Sequence, residues 1–158
     1  MKKLPPVKII KMRPPRAILP SPHKPRMGTG EQPEVLSGEV QDKKASAPEE
    51  RFANTLEKLS SVDGYTFRQT FGAPRGLPGW FEVDYVVSSR GMQYAIEVDS
   101  EFTHRMKTGR GDVLHDAKVL KQLKGQGGQV YPQVIHLTME RELVNQEWSD
   151  RTGKRLFQ

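Results

Sequence analysis

The stretch that decides the fold runs from Trp80 to Asp99: Trp-Phe-Glu-Val-Asp-Tyr-Val-Val-Ser-Ser-Arg-Gly-Met-Gln-Tyr-Ala-Ile-Glu-Val-Asp. Two runs rich in valine, isoleucine and aromatic residues flank Arg90-Gly91, a turn signal, so the spacing predicts a hairpin with strands over Trp80–Val87 and Met92–Asp99. Successive strand side chains point to opposite faces. Glu82, Asp84 and Val86 therefore share one face of the first strand, and Gln93, Ala95, Glu97 and Asp99 share one face of the second. Met92, Tyr94, Ile96 and Val98 take the other.

Working towards the N-terminus, Gly72–Gly79 reads as a loop, and Tyr65, Phe67, Gln69 and Phe71 alternate with polar residues as an earlier strand of the same meander. Before it, Ser46-Ala-Pro-Glu reads as a helix start, with a serine cap, a proline in the first turn and Glu49 at capping-box spacing. Phe52, Leu56 and Leu59 follow at helical spacing. Glu49 falls on their inward face and needs a partner there, whereas Glu50 points to the side. Towards the C-terminus, a polar stretch precedes a helix over about Asp112–Lys124, whose stripe is Val113, Ala117, Leu120 and Leu123 or Lys124, with Asp116 at its border. A strand over Val130–Leu137 follows, marked as an edge or a strand start by Pro132, then a helix over Arg141–Ser149. The order helix, three strands, helix, strand, helix predicts a layered α/β domain.

The chain has 158 residues, room for one domain and little else. Its 25 basic and 19 acidic residues are unevenly placed: the first thirty residues hold eight of the basic ones and no acid, so the remaining 17 basic and 19 acidic residues nearly cancel. Eight of the 12 prolines lie in Met1–Pro33. Proline at that density opposes helix and central strand, and residues 1–44 read as a disordered or extended basic tail, with the domain over 45–158. Such a tail serves either as a solvated leader or as an arm for nucleic acid or a partner. There is no cysteine, which excludes disulfide scaffolds, thiolate zinc sites and cysteine nucleophiles. No apolar run approaches the roughly 20 residues of a bilayer span, and prolines and charges interrupt any signal-peptide core. A soluble, cytoplasmic protein without a membrane partner is the expectation.

Asp84, Glu97 and Asp99 stand out because acids are poor strand formers and costly to bury. Either they lie on a solvated face of the sheet, or they converge on something positive. In the second case a hard divalent cation is the simplest neutraliser, and two or three carboxylates with waters suit Mg²⁺ or Mn²⁺. Zinc is disfavoured, since His104, His115 and His136 form no HxxxH pair. His136 reads as a hydrogen-bonded sheet residue, and His115 as solvent-facing or as positioning Asp116. Arg105, Lys107 and Arg110, in a Gly-containing loop, could follow a phosphate backbone or form a polar connection. Gly72–Gly79 lacks the Lys-Ser/Thr of a phosphate-binding loop.

Glu49 in Pro-Glu-Glu-Arg-Phe, Gln69 in Phe-Arg-Gln-Thr-Phe, Asp84 in Glu-Val-Asp-Tyr, Glu97 and Asp99 in Ile-Glu-Val-Asp, and His104 in Glu-Phe-Thr-His follow one another in an order that resembles the PD-(D/E)xK nuclease superfamily. Within it, the chain is most similar to the small domains related to very-short-patch-repair endonucleases, and His115-Asp116 resembles that group's following helix. About ninety residues, Ser46 to Leu137, are covered. The resemblance implies a restriction-endonuclease-like three-layer α/β fold with a mixed sheet and flanking helices, and Mg²⁺-dependent hydrolysis of DNA phosphodiesters. It implies Asp84 and Glu97 as metal ligands, Glu49 as the group orienting a metal-bound water or assisting a second ion, and Asp99 as a further ligand. One departure stands out: Asp99 occupies the place of the superfamily's usual lysine. The missing cation would come from His104 first, acting as base or phosphate donor, or from Lys107 or Lys118, which with Arg105 and Arg110 would also hold DNA. The alternative is a non-catalytic nucleic-acid-binding or assembly protein with the same fold, forming a homodimer or larger assembly through its tail.

Overall fold

A computed structural model describes residues 34–101 and 110–158, with the side chains of 110–112 left aside. The chain divides into two units, Met1–Val35 and Leu36–Gln158, and the second carries the fold. Its elements are β1 (Glu39–Val40), β2 (Lys43–Lys44), α1 (Ala47–Lys58), β3 (Val62–Phe71), β4 (Phe81–Ser89), β5 (Met92–Asp99), α2 (Arg110–Gly125), β6 (Gln129–Val130), β7 (Ile135–Thr138) and α3 (Gln146–Phe157). The protein is an α/β molecule with, among the described residues, three helices and a mixed five-stranded sheet. None of these helices is long and apolar enough to cross a membrane.

The meander forms as its alternation requires. β3 pairs antiparallel with β4 and β4 with β5, in registers that include Phe67↔Tyr85 and Tyr85↔Ile96. β6 and β7 both run parallel to β5, β6 against Met92 and Gln93 and β7 against Ile96 to Asp99. The strand expected over Val130–Leu137 is thus two short pieces. Pro132, between them, has no amide to donate to a ladder.

Each face of the sheet carries its own apolar cluster. On one, Phe52, Ala53 and Leu56 of α1, Leu59 at its C-terminal cap and Phe157 of α3 pack with Phe67, Tyr85, Val87, Ile96, Val98 and Leu137. Tyr85 lies at the centre, its ring 5.3 Å from Phe52, 5.1 Å from Phe67 and 5.9 Å from Tyr65, and its hydroxyl donates to Glu49 O at 2.6 Å. Full burial of each such ring stabilises the fold by roughly 1.5–3 kcal/mol. On the other face, Val119 and Leu123 of α2 cover Val86, Ala95 and Val134 together with Phe71 and Val83.

Three expectations need correction. Ordered chain begins before Ser46: Glu39–Val40 and Lys43–Lys44 form a hairpin turning through Gln41 and Asp42, both at positive φ. Gln41 Nε2 donates to Tyr65 O and Lys43 Nζ to Phe67 O, each at 2.8 Å, while Phe67 N donates to Gln41 Oε1 at 2.9 Å. The hairpin thereby occupies backbone groups of β3, which has a strand on one side only. Two-residue strands are too short to carry a periodic signal, so the segment reads as tail; residues 1–33 lie outside the described residues. Second, the buried stripe of α2 is Val119 and Leu123, whereas Val113 is 68% exposed. Polar His115 and Asp116 occupy the inward turn, and anchoring the stripe on apolar residues alone rotated it. Third, the last helix spans Gln146–Phe157, not Arg141–Ser149, because Asn145 caps it, accepting from Trp148 N at 2.9 Å. The preceding residues turn instead, with Arg141 N donating to Thr138 O at 3.1 Å and Thr138 N to Glu142 Oε2 at 3.0 Å.

Candidate functional site

Strand alternation places Asp84 on β4 and Glu97 on β5 as continuations of a ladder whose last pair is Tyr85↔Ile96. At that point the Asp84 side chain enters the ladder: its Oδ2 accepts from Val98 N at 2.8 Å. Burial first, then the charge of Glu97 and a hydrogen bond with it, push the Asp84 carboxyl up to about 8, against the pull of the Val98 amide; the charge of Glu49 adds to the rise. Two carboxyls hydrogen-bonded to each other must keep a proton between them, so the pair carries about one charge at neutral pH. His115 Nε2 lies 3.0 Å from Glu97 Oε1, and the Phe81 ring meets the His115 ring edge-on with centroids 6.2 Å apart. α2 therefore presents a histidine to Glu97.

Asp99, 7% exposed, has a separate arrangement. Parallel pairing sets Glu97 beside His136, and His136 reaches Asp99 Oδ2 through Nδ1 at 2.8 Å and Asp116 Oδ2 through Nε2 at 2.7 Å. A ring with both nitrogens facing carboxylate oxygens donates from both, which is the imidazolium form. The hydrogen bond to Asp99 accordingly lifts His136 to about 9, opposed by burial and helped by Asp116. Asp99 thus has its own cation within the sheet.

Glu49 serves the helix end. Its Oε1 accepts from Ser46 N at 2.9 Å while Ser46 Oγ accepts from Glu49 N at 3.4 Å, the reciprocal capping box. Its Oε2 lies 3.8 Å from a guanidinium nitrogen of Arg68. Arg68 holds φ 56° within β3, a left-handed conformation uncommon away from glycine, and its guanidinium stands over the Phe67 ring at 5.3 Å. Glu50, expected at the side, is 7% exposed and accepts from Ser37 N at 2.8 Å, Ser37 Oγ at 3.1 Å and Gly38 N at 2.7 Å. Burial would raise its carboxyl, but the Ser37 and Gly38 amides outweigh that and hold it below the ordinary value.

The residues expected at a site are thus gathered in two adjoining groups, Asp84 with Glu97 and His115, and Asp99 with His136 and Asp116. Glu49 contributes charge to Asp84 but is bonded elsewhere. Gln69 makes a local bond to Thr70 O at 3.4 Å, and Lys118 stands on α2 with Nζ 6.0 Å from the Phe81 ring centroid. His104, Arg105 and Lys107 lie outside the described residues, as does the side chain of Arg110. Sequence reasoning passed over Arg68, because a positive φ inside a strand leaves no mark in the residue pattern. It read His136 as a hydrogen-bonded sheet residue without its partner, since only the parallel pairing of β7 with β5 brings it to Asp99.

Among the described residues no group of three His, Asp or Glu side chains is arranged to hold a metal ion. The donor chemistry of Asp84 and Glu97 nonetheless fits Mg²⁺, which is commonly held by one or two carboxylates, waters and substrate phosphate. Compared with protein-family models, curated proteins and solved structures, the chain matches none.

Proposed function

We propose that the protein is a divalent-metal-dependent DNA endonuclease of restriction-endonuclease-like fold, with Asp84 and Glu97 as the residues that hold Mg²⁺ or Mn²⁺. The observation that carries this reading is the buried carboxyl pair itself: the fold keeps two acids against each other where the β4–β5 ladder ends, and burial, followed by the charge of Glu97, lets one retain its proton near neutral pH. Mg²⁺ bound there would supply an activated water and charge stabilisation at a phosphate. The chain's own residues do the positioning. The Val98 amide fixes Asp84, His115 fixes Glu97, and His136 balances Asp99 so that the phosphate meets less negative charge. Glu49 influences the pair through its field from the end of α1.

The test is cleavage of labelled linear, nicked, mismatched and four-way-junction DNA with Mg²⁺, Mn²⁺ or EDTA, with Asp84→Asn and Glu97→Gln as controls. Cutting that requires both the metal and these two residues is the expected result. Equal cutting by the parent and both variants would refute the assignment. The engagement of Asp99 by His136, whose other nitrogen is held by Asp116, favours one alternative, a DNA-binding or assembly protein built on the same fold. It would bind the panel in every condition and cut none of it.

A further inference from the structure

The loop joining β3 to β4 takes no part in the chemistry above, yet its build is rigid. Gly72, at φ 85°, packs so tightly on the carbonyl of Gly79 that a Cβ there would run into that oxygen. Above this neck, Leu77 N donates to Pro74 O at 3.0 Å and Trp80 N to Leu77 O at 3.2 Å, and Pro74 and Pro78 restrict the backbone further. The loop displays Leu77, 52% exposed, and Trp80, 37% exposed. Arg75 covers part of the indole, its guanidinium carbon 5.7 Å from the ring centroid, and is anchored by Glu82 at 3.7 Å. Two large apolar side chains left in water on a fixed loop add nothing to either core cluster.

The surroundings indicate the partner. Arg75 is largely exposed, and Lys118, Lys121 and Lys124 stand exposed along α2, with Lys118 over Phe81, the residue that follows Trp80. Phe81 also contacts His115, which holds Glu97. Asp84 lies four residues beyond Trp80 on an extended strand, roughly 13 Å away, a span of a few nucleotides. A cation-flanked aromatic surface at that distance suits unpaired bases, whose ring faces are free to stack while their phosphates meet the cations. Bases inside a duplex have no such faces to offer.

The geometry points to the β3–β4 loop as a stacking platform for unpaired bases of single-stranded DNA, with Trp80 and Leu77 as the surface and Arg75 and Lys118 as the phosphate contacts. This rests on the endonuclease reading and deepens it, making the substrate a strand with unpaired nucleotides a few positions from the scissile phosphate.

The chain has a second tryptophan, Trp148, so the full-length Trp148→Phe variant reports on Trp80 alone. Titration with a short oligothymidine in EDTA should quench its emission. Trp80→Ala, and independently Leu77→Ser, should weaken oligothymidine binding by anisotropy about 5- to 150-fold, leaving affinity for blunt duplex unchanged. Unmoved emission, or folded variants that bind oligothymidine like the parent, would overturn the platform. Cleavage dependent on Asp84 alongside that outcome removes the platform alone. Quenching and weakened binding without any metal-dependent cleavage would support the platform and remove the endonuclease reading.

Discussion

Replacing Asp84 by Asn removes a carboxyl whose ionisation is opposed by burial and by Glu97. The carboxyl moves from an ordinary 3.8 to about 8 in the folded protein, so between those values the folded chain keeps a proton that the unfolded chain has released. Stability then falls as pH rises, by about 1.4 kcal/mol for each unit, or about 4 kcal/mol by pH 7. Asn retains an oxygen for the Val98 amide and offers Glu97 an N–H, but repacks less well than the shared proton. A net gain of about 2 kcal/mol is the expectation, a rise in Tm of about 6–10 °C for a domain of this size. Thermal unfolding followed by circular dichroism in EDTA measures it: the variant should melt below the parent near pH 4, cross it above pH 5 and exceed it progressively to pH 8. Mg²⁺ at pH 8 should raise the Tm of the parent and leave the variant unmoved, since a cation stabilises only the ionised pair. A variant less stable than the parent at pH 8, or a gap independent of pH, would refute the reasoning.

Three further expectations follow from the same structure. His136→Gln should destabilise the protein by about 2 kcal/mol at pH 6, allowing for the partial exposure of the ring. Because His136 is raised to about 9, that difference should be full below pH 6.5 and vanish as pH passes through 9; urea unfolding across that range checks it. Glu50→Gln should loosen the β1–β2 hairpin by about 1–2 kcal/mol, read as faster hydrogen exchange at Ser37 and Gly38. Since the Glu50 carboxyl is held low, acidification below its ordinary 4.5 should loosen the parent's hairpin likewise, and equal protection in both proteins at neutral pH would contradict the role. Gly153→Ala places a methyl against Thr55 Cγ2 and Leu59 at the α1–α3 contact, and overpacking of this kind costs about 1–3 kcal/mol. A thermal midpoint equal to the parent's would show that α3 can move away freely.

Much of the framework was legible because its cause is local. Period-two alternation across Arg90-Gly91 located β4 and β5, and the Ser46-Ala-Pro-Glu49 capping box located α1, to within a residue or two. The same alternation put Asp84, Glu97 and Asp99 on candidate faces. Reading failed where the signal was polar or non-local. The inward turn of α2 is built from His115 and Asp116, so an apolar stripe pointed elsewhere. The start of α3 depends on the Asn145 cap and lies beyond the expected start at Arg141. The β1–β2 hairpin is stable through the edge of β3 and the Glu50 carboxylate, neither of which lies within its own few residues.

What the sequence by itself determined is the succession of elements and the identity of the acids, because backbone periodicity and caps act over a few neighbouring residues. What only the tertiary structure decided is the company those acids keep: a proton shared by Asp84 with Glu97, His115 on Glu97, and His136 between Asp99 and Asp116. Those contacts join residues 13 to 37 positions apart in the chain. They exist because β4 pairs with β5, β7 returns parallel to β5 and α2 covers the same face, and burial there converts solvated charges into an interacting set.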